Sequence, residues 1–115
     1  MNTSVDIDNL NMLKELIGKD LKEILDAYIS TAPNLVNQIE DALISQDVDN
    51  LRLHAHSLKG SSANIGANTL SSLSASLEQF AKEGQLGSPA VQAFSKIKDE
   101  NSAVMDFLNT YIQQF

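Results

Sequence analysis

Apolar residues recur along this chain at spacings of three and four, the period of a helix, and nowhere alternate in the period of two that a half-buried strand requires. The breaks between these runs are sparse, and five helices are predicted. The first is short, about Ile7 to Ile17, with Leu10, Leu13, Leu16 and Ile17 apolar and Gly18 after it. The second runs from about Asp20 to Ser45, with Asp20 as N-cap and Glu23 at capping-box spacing. Its stripe is Leu21, Ile24, Leu25, Tyr28, Leu35, Val36, Ile39 and Leu43. Pro33 falls inside it, removes one backbone donor and crowds the Ile29 carbonyl, so a kink or break is expected near Ser30 to Ala32. The third helix starts at Asp47 or Val48 and ends at Gly66, placed to be a C′ glycine. The fourth spans about Asn68 to Glu83 on Leu70, Leu73, Leu77, Phe80 and Ala81. Ser88 as N-cap and Pro89 at the first helical position open the fifth, which carries Phe94, Ile97, Val104, Leu108, Tyr111 and Phe115 to the C-terminus. Four long amphipathic helices on short loops describe an all-α antiparallel four-helix bundle, with the short first helix capping one end.

The chain has 115 residues, a length for one domain over 1–115. It has no Cys, which excludes disulfides, thiolate metal sites and thiol catalysis. Fifteen acids against eight bases give a net charge of −7, so nucleic acid and anionic membrane are repelled on average and neither is expected as a partner. The N-terminus lacks a basic start and an apolar stretch, and no apolar run approaches the roughly 20 residues that span a bilayer. A cytoplasmic protein is expected, and a monomer, since four helices already close one core. The serines at 71, 72, 74 and 76 fit small-residue packing and solvated surface.

Helical phase separates the two histidines. At about 100° per residue, Leu51, Ala55, Leu58, Ser62 and Ile65 share an arc of about 80°, the core face. His56 lies about 130° from its centre, in an exposed stripe with Arg52, Lys59, Gly60 and Ala63. His54 lies on the opposite flank at the core boundary. Positions two apart point about 200° away from each other, so the pair cannot chelate one metal, and no metal site is predicted. A free imidazole titrates near pH 6.5 and is therefore largely neutral and nucleophilic at pH 7. Lys59 sets an ammonium beside it, and with Arg52 it makes a local cationic site on an acidic chain. A glycine inside a helix costs about 1 kcal/mol relative to alanine, which asks for a reason at Gly60. Close approach of another backbone or of a phosphoryl group is one reason, and an internal packing contact is another. A merely solvated histidine also fits the pattern.

The segment His56-Ser57-Leu58-Lys59-Gly60-Ser61-Ser62-Ala63-Asn64-Ile65-Gly66-Ala67 closely resembles the phosphohistidine motif of histidine-containing phosphotransfer (HPt) domains. Leu77-Glu78-Gln79-Phe80-Ala81-Lys82-Glu83-Gly84 resembles a second family segment, and the likeness extends to the helix count and the Pro-containing second helix. The resemblance implies a phosphorelay intermediate. A receiver domain holding phosphate on an aspartate, with Mg²⁺ bound in the receiver, passes the group to His56, and a second receiver takes it. It implies that Lys59 neutralises phosphoryl charge, Gly60 leaves room for the receiver and Gly66 ends the helix. The inner ring nitrogen is to be held by Glu78, with Gln79 as second choice. Lys82 matches a basic position that helps bind phosphoryl group or partner, and Arg52 and Ala63 belong to the same face. An exposed Glu78–Lys82 pair at i,i+4 is the plainer account of those two residues. The partners implied are response-regulator receiver domains and a hybrid sensor histidine kinase. The family occurs free-standing and as the tail of hybrid kinases, and a free-standing protein is expected here.

Two other functional classes compete. A helical interaction module would tolerate replacement of His56. An enzyme with its own turnover would need a phosphate-cradling glycine loop, a serine with a paired base, or ligands at metal spacing, and none of these is present. No cofactor of the chain's own is therefore expected.

Overall fold

The computed structural model describes residues 4–115; Met1 to Thr3, part of the N-terminus read above, lie outside the described residues. Helices α1 (Ile7–Ile17), α2 (Asp20–Ser45), α3 (Val48–Asn64), α4 (Asn68–Lys82) and α5 (Ser88–Tyr111) follow in order, with a 3₁₀ turn at Ile112–Gln114. The described residues contain no strand. Short connections reverse the chain after each of α2, α3 and α4. Helix α3 packs on α2 and α4, and α5 closes the ring against α4 and α2, giving the expected four-helix bundle.

The core is the predicted stripe with local corrections. Leu21, Leu25, Tyr28, Ala32, Val36, Ile39 and Leu43 are buried on α2. Ile24 is 46% exposed because it lies about 70° off that line of contact. Only Leu10 of α1 is buried, and Leu16 is 72% exposed, since α1 meets the bundle along one narrow edge. Of the kink or break expected at Pro33, the break is absent: α2 runs through it as one helix, with the proline on the exposed side, where water can reach the carbonyl that loses its partner. Asp20 is the first helical residue and Lys19 takes the N-cap position without a side-chain bond, so the capping box does not form. Ser88 likewise lies inside α5, with Gly87 as N-cap. Helix α3 does use its predicted cap, Asp47 accepting from the Asn50 N–H at 3.1 Å. One polar pair crosses the core, Tyr28 OH donating to Asn101 Oδ1 at 3.1 Å, and burial pushes the Tyr28 phenol above its ordinary range.

Helix α1 caps the end of the bundle that holds the α3–α4 turn and the C-terminus. The Asp6 N–H donates to the Gly66 carbonyl at 3.0 Å, and Tyr111 OH donates to Asn11 Oδ1 at 2.9 Å. Gly66 has φ +78°, and a Cβ there would stand 3.2 Å from Asn9 Nδ2 and 3.4 Å from the Asp6 Cβ. Gly66→Ala therefore meets both an unfavourable backbone region and a crowded neighbour. A loss of about 1–2 kcal/mol is expected in urea unfolding; an unchanged midpoint would show that α1 is not seated on this turn.

Candidate functional site

Helix α3 presents His56 on its outer side while Leu51, Ala55, Leu58 and Ser62 fill the core. The His56 side chain is 64% exposed, which agrees with the phase of the helix. Across the α3–α4 seam stands Glu78, whose side chain is only 10% exposed. Helix α4 turns Leu70, Ser74, Leu77 and Ala81 into the bundle, and Glu78, one residue beyond Leu77, lies at the edge of that face against α3.

Each Glu78 oxygen has its own partner. Oε2 lies 2.9 Å from His56 Nδ1, and Oε1 accepts from Lys59 Nζ at 2.8 Å. Lys82 Nζ stands 3.9 Å from Oε2, an ion pair without a hydrogen bond. Burial works against ionisation of this carboxyl, but the hydrogen bonds and charges of Lys59 and His56 outweigh it and hold it below the usual carboxylate range. An ionised carboxylate has only acceptor oxygens, so Nδ1 carries the hydrogen. When the ring is neutral its lone pair is then on Nε2, the outer nitrogen.

Arg52, Leu53, Asp49 and Lys82 line a shallow depression of about 380 Å³ together with His56 and Glu78. Arg52 and Lys82 are the bases of that depression, with the acid Asp49 beside them, and Lys59 stands next to it at the α3–α4 seam. Lys59 is half-buried and turned into the seam, not carried on the open surface as the stripe suggested. Ser71 Oγ donates to the Lys59 carbonyl at 3.0 Å and ties α4 to α3 beside the site. That bond departs from the surface-and-packing role expected of the serines. Gln79, the second choice for the ring, is exposed; the partner of Nδ1 is its neighbour, Glu78.

Gly60 is exposed, and a Cβ added there would meet nothing within 4 Å. An internal packing contact therefore does not account for it. Ala63 is exposed on the same stretch of helix. His54 is half-buried on the α2 side, in a small polar hollow with Asp41, Ser45 and Asp47, a boundary residue well apart from His56. Asp49 and Leu53 also line this depression and are not among the residues singled out in the sequence. They precede His56 by two turns and one turn of α3, and that spacing was the available signal.

Comparison with known proteins places this geometry. The Hpt domain family model matches residues 23–108. The phosphorelay intermediate protein rdeA of Dictyostelium discoideum is 28% identical over 89 residues, 77% of this chain and 35% of that protein. Histidine-containing phosphotransfer protein 4 of Arabidopsis thaliana is 27% identical over 95 residues, 81% of this chain and 74% of that one. The sensor protein TorS of Escherichia coli (strain K12) is 35% identical over 77 residues, 66% of this chain and 8% of its own length. This chain thus spans about a third of rdeA and a small part of TorS. The crystal structure of histidine-containing phosphotransfer protein B from Pseudomonas aeruginosa PAO1 superposes with a TM-score of 0.93 at 26% identity, covering 100% of this chain and 99% of that one.

The lowered titration of Glu78 fixes the sign of a pH effect. A carboxyl whose pKa is lower in the folded chain stabilises the fold above its unfolded value, and loses that contribution as pH falls through its folded value. Glu78→Gln is expected to cost about 1 kcal/mol in denaturant unfolding near pH 7, with the difference shrinking towards about pH 3. A difference that is the same at both would place the ionised carboxylate elsewhere.

Proposed function

The chain belongs to the Hpt domain family, and from that premise we propose that it is a phosphorelay intermediate in two-component signalling, with His56 as phosphoacceptor. The observation that carries this reading is the Glu78–His56 bond, which fixes Nδ1 as the protonated nitrogen and leaves the Nε2 lone pair on an exposed ring beside Arg52 and Lys82.

Transfer in this reading is a matter of position and charge. A receiver domain brings phosphoaspartate. The Nε2 lone pair forms the N–P bond while the bond from phosphorus to the aspartate oxygen breaks, and the electron pair leaves with the carboxylate. Mg²⁺, bound by the receiver, would offset charge on the transferring oxygens. The chain supplies orientation through Glu78, positive charge through Lys59, Lys82 and Arg52, and clearance through Gly60 and Ala63. It uses no cofactor of its own and splits no nucleotide, so it acts as a carrier between receiver domains, and a hybrid sensor kinase stands upstream. A cytoplasmic site of action is part of this proposal; separately, among the described residues no helix is long and apolar enough to cross a membrane.

Incubation with a ³²P-labelled receiver tests the assignment. His56→Gln abolishes uptake of label, whereas His54→Gln retains it, and the adduct is acid-labile and alkali-stable. Uptake that persists in His56→Gln would leave a helical interaction module as the better account. Gly60→Ala separates folding from docking. The isolated protein gains about 0.5–1 kcal/mol in urea unfolding because a mid-helix glycine is removed into open space. Transfer from the receiver falls by about tenfold or more, equivalent to about 1.4 kcal/mol of barrier. A variant that is both more stable and equally fast would show that no partner approaches closely at this position.

A further inference from the structure

The hydrogen bond that prepares His56 for attack also bears on what happens to the ring afterwards. Attack through Nε2 leaves the Nδ1 hydrogen in place, so the first product is a phosphorylated ring carrying one positive charge. Loss of that hydrogen would turn a nitrogen lone pair towards Glu78 Oε2, 2.9 Å away, setting two acceptors against each other at the edge of the core. We propose that Glu78 retains the Nδ1 proton throughout the phosphorylated state, so that the phosphoryl group is stored on a cationic imidazole that is already in its donor form. This inference rests on His56 being the phosphoacceptor and concerns Glu78 as a positioning residue, acting through the ring.

The chemistry gives the proton its importance. In onward transfer an aspartate oxygen bonds to phosphorus, the N–P bond breaks, and its electron pair returns to Nε2. If Nδ1 holds its hydrogen, the departing group is neutral imidazole and no proton moves in either direction. If Nδ1 is bare, the departing group is an imidazolate anion, a far poorer one, and a proton must arrive from solvent.

The surrounding charges favour retention. Among the described residues, Asp49, Arg52 and Lys59 from α3, and Glu78 and Lys82 from α4, are the charged groups around the ring. A phosphoryl group adds about two negative charges, after which the anions outnumber the three cations before the ring proton is counted. Any movement of Lys59 towards the phosphoryl oxygens leaves more of the Glu78 charge to the Nδ1 hydrogen. The burial of Glu78 keeps water from replacing either partner of that bond.

Phosphoramidate tests this without a partner protein, since it transfers its phosphoryl group to imidazole with release of ammonia. The protein labelled with ¹⁵N in its histidine rings is phosphorylated in this way and titrated by ¹⁵N NMR beside free Nε2-phosphohistidine. In wild type the Nδ1 hydrogen is expected to persist at least about one pH unit higher than in the free compound, and Glu78→Gln brings the midpoint back. Hydrolysis of the phosphoryl group to inorganic phosphate follows the same displaced pH profile. A wild-type midpoint equal to that of free phosphohistidine overturns the proposal while leaving the phosphoacceptor assignment intact. No phosphorylated ring at His56 overturns both.

Discussion

A buried carboxylate shared between an imidazole and an ammonium is the interaction on which the functional face depends. Glu78 costs desolvation at the edge of the core, and the cost is offset because its two oxygens are taken by His56 Nδ1 and Lys59 Nζ. The arrangement needs α3 and α4 at fixed spacing and rotation. That is where the bundle supplies most support, through Leu51, Ala55 and Leu58 on one helix, Leu70, Leu77 and Ala81 on the other, and the Ser71 bond to the Lys59 carbonyl. The fold thus acts on the chemistry at one remove, holding a carboxylate that in turn holds a ring.

Exposure and constraint are divided between the two edges of that ring. The inner nitrogen is fixed by a hydrogen bond to a group that cannot easily move, and the outer edge faces a shallow, open depression. In the proposed role, a carrier that meets more than one partner would benefit from such a division, because a deep pocket would shape the site for one of them. Gly60 fits the same logic. The chain carries a helix-weakening residue where nothing within it needs the space, so the reason is sought outside the chain.

Much of the fold was legible because the apolar period is regular and the loops are short. The bounds of α1 and α2 follow from it, and the third-helix phase correctly set His56 outside, His54 at the boundary and Leu58 in the core. What was not legible depended on neighbours. Asp20 carries the chemistry of a cap, but Lys19 already has helical dihedrals and occupies that position. Pro33 signals a break, yet the packing of Ala32 and Val36 on either side keeps α2 continuous. Leu16 and Ile24 are apolar at helical spacing, and both are exposed because nothing covers that flank. Glu78 was reached only through family resemblance. From spacing alone its partner was Lys82, four residues on, whereas its short contacts come from the facing helix, and cross-helix contacts leave no periodic trace in one sequence.

The chemistry of this face depends on the tautomer of one ring before any phosphate is present. ¹⁵N chemical shifts of His56 in the unmodified protein, followed above the titration of the imidazole, report it directly. The structure requires hydrogen on Nδ1 and a bare Nε2. Hydrogen on Nε2, the form that free histidine prefers in water, would mean that the lone pair faces the Glu78 carboxylate and that the outward nitrogen is no nucleophile, which contradicts the account at its base.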